Sequence, residues 1–566
     1  MENLMEAGNP YHEVLLLAIV AGLASHQGFR KYEPTISGFL GVFFSLQAII
    51  FLGIVIRHGS TLEYLVSGAM LTTMFGVIYL GVLGLSIVLY RVYLHPLRHY
   101  PGPKLSRITK IEWFFRARDG HFYLHVNKLH KKYGDVVRVG PNDIAFCDPS
   151  DTPLINGPLS KMAKGAHADG SPWAKARSVT FVKERAEHRA RRRIWDQGFT
   201  TAALQQYEPR IASLLERMSD QFASRIGRGC GLGKIIVEPH ANFRVEEINF
   251  ADWTSFFAFD AMGDLGFGND FGMVEKAMKM RIVWMTLPWC KYIVNYLPID
   301  DEMKEQTKQF VKFGNERFDA RKAKGTTRAD IFSHLLAHDQ ESGGRILEVE
   351  LREDAKAIII AGSDTTSFAL VAILYCLIQH EQAYEKLEKE IDALNAKGLI
   401  RGTTLGPEQA PYINGVINEA LRLFPPAPEP TQRTYGESPY ILNGKLIPPH
   451  TNCYVSVYTL ARDERNFSAA DKFIPERWIE TARPEMFNHN TKAFVPFGSG
   501  LFNCAGRTLA QLELRQFIAT LLYRFHFSAG RSFNPQSFLT SLRSNGTMES
   551  GGLPLLLTAR NAKCSH

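Results

Sequence analysis

Apolar and polar positions divide the chain near residue 90. Ile36 to Ile56 is a run of 21 residues without a charge, and Tyr64 to Tyr90 is another of 27. About 20 apolar residues cross the hydrocarbon layer of a bilayer, so both runs predict transmembrane helices. The alternative, a core hairpin, would have to hide two long uncharged helices. A shorter apolar run, Val14 to Ala24, comes after a leader that lacks the positive charge of a secretion signal. Extended to about residues 12–28 it predicts a third, marginal span, giving an anchor of two or three helices (about 12–28, 36–56 and 64–90) within residues 1–90. Arg30 and Lys31 flank the end of the first run; Arg91, Arg98, Lys104, Arg107 and Lys110 flank the end of the third. Positive flanks belong on the cytoplasmic side. The acidic N-terminus (Glu2, Glu6, Glu13) is therefore expected in the lumen, and the C-terminal body in the cytosol. Asn466 and Asn545, which fit the glycosylation pattern, are accordingly expected to stay bare. Pro101-Gly102-Pro103 stiffens a basic, proline-containing hinge over 91–110, beyond which residues 111–566 form the main domain.

In that domain the clearest periodic segment is 351–380, "LREDAKAIIIAGSDTTSFALVAILYCLIQH", which predicts one long helix, apolar nearly all round in its second half and hence buried. Gly362, Asp364, Thr365 and Thr366 interrupt it. A glycine inside a helix costs up to about 1 kcal/mol, and a buried carboxylate costs more unless it is paired. A threonine back-bonding to its own helix explains one hydroxyl but neither the acid nor the glycine. A locally opened helix, with Asp364 and Thr365 facing a pocket as a proton relay, accounts for all of them. In "INEALRLFPPAPEP", Glu419 and Arg422 share one helical face and Pro425-Pro426 ends the helix; "FIPERW" adds Arg477. A buried Glu-Arg-Arg cluster joining that loop to the helix is the expectation.

Composition removes several function classes. The seven cysteines are scattered with no Cys-x-x-Cys pair, so neither a disulfide framework nor a structural zinc site is indicated. The net charge of +8 is spread among 57 acidic residues, and the densest basic run, "HRARRR" at 188–193, comes with no nucleic-acid-binding motif. Nucleic acid is not an expected partner. One cysteine differs from the rest. In "FVPFGSGLFNCAGRTLAQLELRQF", Gly498, Gly500 and Gly506 bare the backbone around Cys504, Phe497 stands nearby, and a helix-forming run comes next. A thiolate near a helix N-terminus is a soft metal ligand or a nucleophile. A cysteine hydrolase would need a His base with an Asn or Asp to orient it. A non-enzymatic membrane receptor or scaffold is a further alternative.

Taken together and in this order, these motifs resemble the cytochromes P-450, the haem-thiolate monooxygenases. The family's loop Phe-x-x-Gly-x-(Arg or His)-x-Cys-x-Gly is matched by Phe497, Gly500, Cys504 and Gly506. Ala361 to Thr366 matches its oxygen-binding helix, Glu419 and Arg422 its Glu-x-x-Arg pair, and Pro475 to Trp478 its Pro-Glu-Arg-Trp loop. "HPLRHYPGPKLSR", "HRARRRIW" and the multi-span N-terminus are similar to filamentous-fungal enzymes of secondary metabolism, including those like tryprostatin B hydroxylase. The resemblance implies a mainly α fold with a small β region, preceded by the transmembrane helices. It implies haem b held by the Cys504 thiolate within the loop of Phe497, Gly498, Gly500 and Gly506. It also implies O2 as co-substrate, Asp364 and Thr365 as proton carriers, and Glu419, Arg422 and Arg477 as a structural cluster. This chain departs from the pattern at Phe502, where the family has Arg or His, and at Ala461 and Glu464, which replace the His and Pro common around its Arg-Asp turn. His188, Arg192 and Arg433 are then the remaining candidates to hold the haem propionates. No Gly-x-Gly-x-x-Gly stands after a predicted strand, so the resemblance implies electrons from NADPH through a membrane-bound flavoprotein reductase docking near Cys504. The expected reaction is hydroxylation of a hydrophobic small molecule in fungal secondary-metabolite (alkaloid, terpenoid or polyketide) biosynthesis. A primary-metabolic or detoxifying monooxygenase is the alternative within the family.

Overall fold

A computed structural model describes residues 10–31, 36–59, 61–169, 176–226, 230–231, 234–235, 246–276, 301–325, 328–341, 346–400, 405–429 and 431–560. Residues 170–175 and most of 225–245, in loops where substrate-pocket residues would lie and which sequence pattern does not place, fall outside these residues. The chain divides into two units, one of residues 1–112 with 138–142 and the other holding the remainder.

In the first unit, helix Ile36–His58 contains the first long uncharged run and helix Leu62–Leu89 all of the second but its last residue, Tyr90. Both meet the length and apolarity needed to cross a membrane: Ser37–Arg57 has a mean hydropathy of 2.5 and Leu62–Leu94 one of 2.0. The first apolar run becomes a 22-residue helix, Pro10–Lys31. With Glu13, His26 and Arg30 in it, this helix is not among those apolar enough to cross by composition. It packs instead on Leu62–Leu89 through Val14, Ala18, Leu71, Phe75, Tyr79 and Leu83, and the Tyr79 hydroxyl donates to Ser25 Oγ at 3.0 Å. At the Pro-Gly-Pro turn a Cβ on Gly102 would lie 2.1 Å from the Arg138 carbonyl oxygen, so only glycine lets these two backbone segments meet.

The second unit is mostly helical. Its axle is Glu348–Gln379, which packs along Phe250–Phe267. This third helix is also long and apolar enough for a membrane, with a mean hydropathy of 1.8, but two-thirds of that apolar stretch is buried inside the unit, as a core helix requires. It is helical without a break, so the local opening expected at Gly362 is absent. The glycine has a packing reason instead: a Cβ there would fall 1.8 Å from Met262 Sδ on the neighbouring helix. The small β region places Asp143–Phe146 parallel to Asn452–Val455, with Thr431–Thr434 and Ala163–Lys164 continuing the sheet antiparallel.

Glu419, on helix Pro411–Leu423, and Arg422 and Arg477 are brought together with no exposed side-chain surface. Arg422 donates to both Glu419 oxygens at 2.8 Å, Arg477 Nε to one at 2.9 Å, and Trp478 Nε1 to the other at 2.9 Å. Arg422 reaches on to the carbonyls of Ala461, Ala470 and Lys472, and Arg477 to those of Ser468 and Ala469. Burial alone would raise the Glu419 carboxyl, but the two guanidiniums outweigh it and hold the group below its ordinary value. Asn466, one of the two potential glycosylation sites, is 3% exposed in this same loop, so its bareness would report folding rather than topology.

Removing one partner of such a cluster strands the others in the core. Glu419→Gln is expected to cost about 3–5 kcal/mol, and Lys386→Ala, which breaks an exposed pair with Glu476, less than about 1 kcal/mol. Urea melts monitored by tryptophan fluorescence should separate the two clearly.

Candidate active site

The loop around Cys504 is built from its glycines. Gly498 and Gly500 adopt φ of +66° and +68°, where a side chain is disfavoured. A Cβ on Gly500 would also sit 2.4 Å from the backbone of Asn156 and Gly157. The loop closes on itself where the Cys504 N–H donates to the Phe497 carbonyl at 2.8 Å. Gly506 then starts helix Arg507–Arg524 and accepts from the Ala510 N–H at 2.8 Å.

Cys504 is exposed, whereas Cys147, Cys376 and Cys453 are buried. Yet burial is the main influence on its thiol and pushes it up, while the Gly506 N–H, Arg192 and Arg507 pull it down by less. The sulfur thus has accessible surface while neighbouring protein still shields it from much of the water. The expectation that a helix terminus by itself favours the thiolate is therefore not met, because desolvation outweighs it. A bound metal ion would deprotonate the sulfur outright.

Helix Glu348–Gln379 shows the same kind of accessible face. Ala361 is exposed, and Asp364 and Thr365, three and four residues on, are partly so, while the residues on the opposite side of that turn are buried. Asp364 makes no hydrogen bond to any described residue. Burial first, and then the charge of Glu549, raise its carboxyl to about 7. The Thr365 hydroxyl donates to the Ala361 carbonyl at 2.6 Å, the back-bond open to any helical threonine. Thr366 points the other way and donates to Glu513 at 3.2 Å, joining this helix to Arg507–Arg524.

The basic run divides by helical period over Arg185–Gln197. Arg191 turns inward to Asp354 at 3.0 Å, and Arg189 and Arg193 stay exposed. Arg192 donates to the Asn503 carbonyl at 2.6 Å and pairs with Asp196 at 2.7 Å. His188 meets the Phe502 ring edge-on at 4.6 Å. Burial and the surrounding cations push its imidazole down to about 3, so it is neutral. Arg433 is buried, with burial lowering it to about 10, and its Nε has no hydrogen-bond partner among the described residues. His188, Arg192 and Arg433 thus converge near Phe502. Ala461 and Glu464 belong instead to the loop around Glu419, where they accept from Arg422 and from the Ala470 N–H.

One further cation joins this group. Lys164 lies in the two-residue strand Ala163–Lys164, and no period in the sequence could signal it. The only hint is the cation missing at Phe502. A soft, accessible sulfur two residues from Phe502, whose ring meets the buried Lys164 and Arg433, two cations lacking a carboxylate partner among the described residues, suits a metal-centred group bearing carboxylates. Among the described residues no hydrogen bond links Cys504 to a histidine, as a nucleophile would need.

Residues 101–545 match the family described as Cytochrome P450. The chain is 31% identical over 461 residues to "Cytochrome P450 monooxygenase nodW" of Hypoxylon pulicicidum, covering 79% of this chain and 80% of that protein. It is 30% identical over 553 residues to "Cytochrome P450 67" of Uromyces fabae, covering 92% and 95%. It is 32% identical over 498 residues to "Cytochrome P450 monooxygenase sthD" of Phaeosphaeria nodorum, covering 85% and 98%.

Asp364 is expected to carry a proton below pH of about 7 and lose it above. Its protonated-carboxyl stretch in infrared difference spectra, absent in Asp364→Asn, should vanish as the pH rises through that value. It should vanish at lower pH in Glu549→Gln, because the neighbouring negative charge that raises the group is gone.

Proposed function

The chain belongs to the cytochrome P450 family of haem-thiolate monooxygenases, and from that premise we propose that it hydroxylates a hydrophobic small molecule in fungal secondary metabolism. The family implies a haem-thiolate iron, O2, a small-molecule substrate and electrons from a redox partner; here that partner is an NADPH-dependent flavoprotein reductase. Cys504 would bind the iron as thiolate, the glycine loop leaves its surroundings free of side chains, and His188, Arg192 and Arg433 would hold the propionates. Carrying this reading is the meeting, around one loop, of an accessible sulfur with two buried cations, Lys164 and Arg433, that lack a carboxylate partner among the described residues. Haem held there supplies the oxygen-activating chemistry, helped by electron donation from the thiolate.

The chain's own residues manage protons and water. Asp364 holds a proton near neutral pH at an atom no neighbour occupies, and Thr365 hands one on by leaving its bond to the Ala361 carbonyl. Apolar walls, of the kind Phe250–Phe267 presents to its neighbours, keep the surroundings dry, which strengthens each such interaction. Residues 1–90 anchor the protein in the lipid of the endoplasmic reticulum membrane through two or three spans, 91–110 form the hinge, and 111–566 work on the cytosolic side. Arg189 and Arg193, exposed near the Cys504 loop, offer positive charge to an acidic reductase.

Two measurements test this. In the reduced, carbon monoxide-treated protein, the red-shifted Soret band of a thiolate-bound haem should be present and should disappear in Cys504→Ala, while Cys376→Ala and Cys453→Ala keep it; equal behaviour of all three would remove Cys504 as ligand. In Thr365→Ala, with substrate saturating, NADPH should still be consumed while product falls and peroxide rises, the loss of product lying within the roughly 10²- to 10⁴-fold range of a positioned proton carrier. An unchanged ratio of product to NADPH per haem would leave Thr365 with only its helix bond.

A further inference from the structure

Lys164 stands directly opposite Arg433 in the antiparallel pair of strands Ala163–Lys164 and Thr431–Thr434. Like charges facing each other across strands repel, and these two are also buried. Neither has a carboxylate partner among the described residues. Lys164 Nζ donates to the carbonyls of Val179 at 3.1 Å and Thr180 at 2.6 Å, and Arg433 donates from Nη1 to the Gln432 carbonyl at 3.0 Å. Burial, and after it the charges of Arg433, Arg192 and Arg191, lowers the lysine to about 7, so its charge needs an anion beside it to persist.

The Phe502 ring is common to both cations. Lys164 Nζ lies 4.8 Å and Arg433 Cζ 5.0 Å from its centroid. An aromatic face attracts cations at such distances and thus offsets part of their mutual repulsion. Phe502 also occupies the position, two residues before Cys504, where the family pattern has Arg or His. We propose that Lys164 supplies the charge that Phe502 lacks, the ring holding Lys164 and Arg433 together as a binding pair for a haem carboxylate. A cation reaching in from the loop before Cys504 has thus been replaced by one reaching in from the sheet. A third cation at 502 would crowd the two already there. The assignment rests on reading Cys504 as the haem ligand.

Haem transfer from the full-length, detergent-solubilised holoprotein to excess apomyoglobin tests it without any turnover. Lys164→Met is expected to lose haem about 10-fold faster than wild type, the scale of one charge-assisted hydrogen bond. Lys164→Arg should stay within about twofold, as should Lys161→Met at an exposed lysine nearby. Phe502→Arg should lose haem faster as well, through repulsion. The double variant Lys164→Met with Phe502→Arg should return close to the wild-type rate, since the number of cations is restored, and that return also shows that the single variants failed for lack of charge balance rather than of fold. Haem retained at the wild-type rate in Lys164→Met, or a double variant as leaky as the two single effects combined, overturns the assignment. The carbon monoxide spectrum separates this from its premise. A wild-type protein without the thiolate band refutes Cys504 as ligand, whereas a normal band with unaltered haem loss refutes Lys164 alone.

Discussion

Glu419 is a carboxylate without water, and much of the C-terminal half is arranged to satisfy it. Its two oxygens receive two guanidiniums, an indole N–H and the Ile474 N–H. The guanidiniums in turn need more acceptors than one carboxylate offers, so they draw in the carbonyls of residues 461 to 472. A stretch with little regular structure is thereby held as firmly as a helix, because each of these buried polar groups has a partner. The same stretch leads to the Cys504 loop.

The long helix Glu348–Gln379 solves a related problem with different means. It must be apolar to be buried, yet it carries Asp354, Ser363, Asp364, Thr365, Thr366 and Glu353. Most of these are accounted for by packing: Asp354 is met by Arg191, Trp195 and the Val179 N–H, Ser363 by the Ala258 carbonyl, and Thr366 by Glu513. Asp364 is the exception. It is the acid on this helix whose burial no bond among the described residues offsets, and it lies on the accessible face with Ala361 and Thr365. That is a cost which packing among the described residues does not recover.

The cations near Cys504 show the inverse imbalance. Lys164, Arg433 and the neutral His188 gather around one aromatic ring, with Arg192 adjacent. Neighbouring strands force Lys164 and Arg433 to face each other, so the fold itself concentrates positive charge there. Among the described residues, an acid without a cation on one helix, and Lys164 and Arg433 without an acid around one loop, are complementary signs of a site shaped to hold something other than protein.

Local pattern was sufficient for the elements that satisfy themselves. The membrane runs, the long core helix, the glycine loop and the Glu-x-x-Arg spacing were legible in the sequence, since each is a matter of period, length or a short motif. So was the family, through four motifs in order. Tertiary structure alone decided what depends on distant partners. It made Gly362 a packing residue against Met262 rather than a break in the helix, because the contact comes from a helix about a hundred residues earlier. It divided the run of arginines among Asp354, Asn503 and solvent, because helical phase gains meaning only once neighbours surround it. It raised the Cys504 thiol, since burial outweighed a helix terminus. It also brought Lys164 from a two-residue strand, too short to carry any period, to the ring of Phe502, because strand register fixes which side chains stand opposite one another and register is a property of the paired sheet.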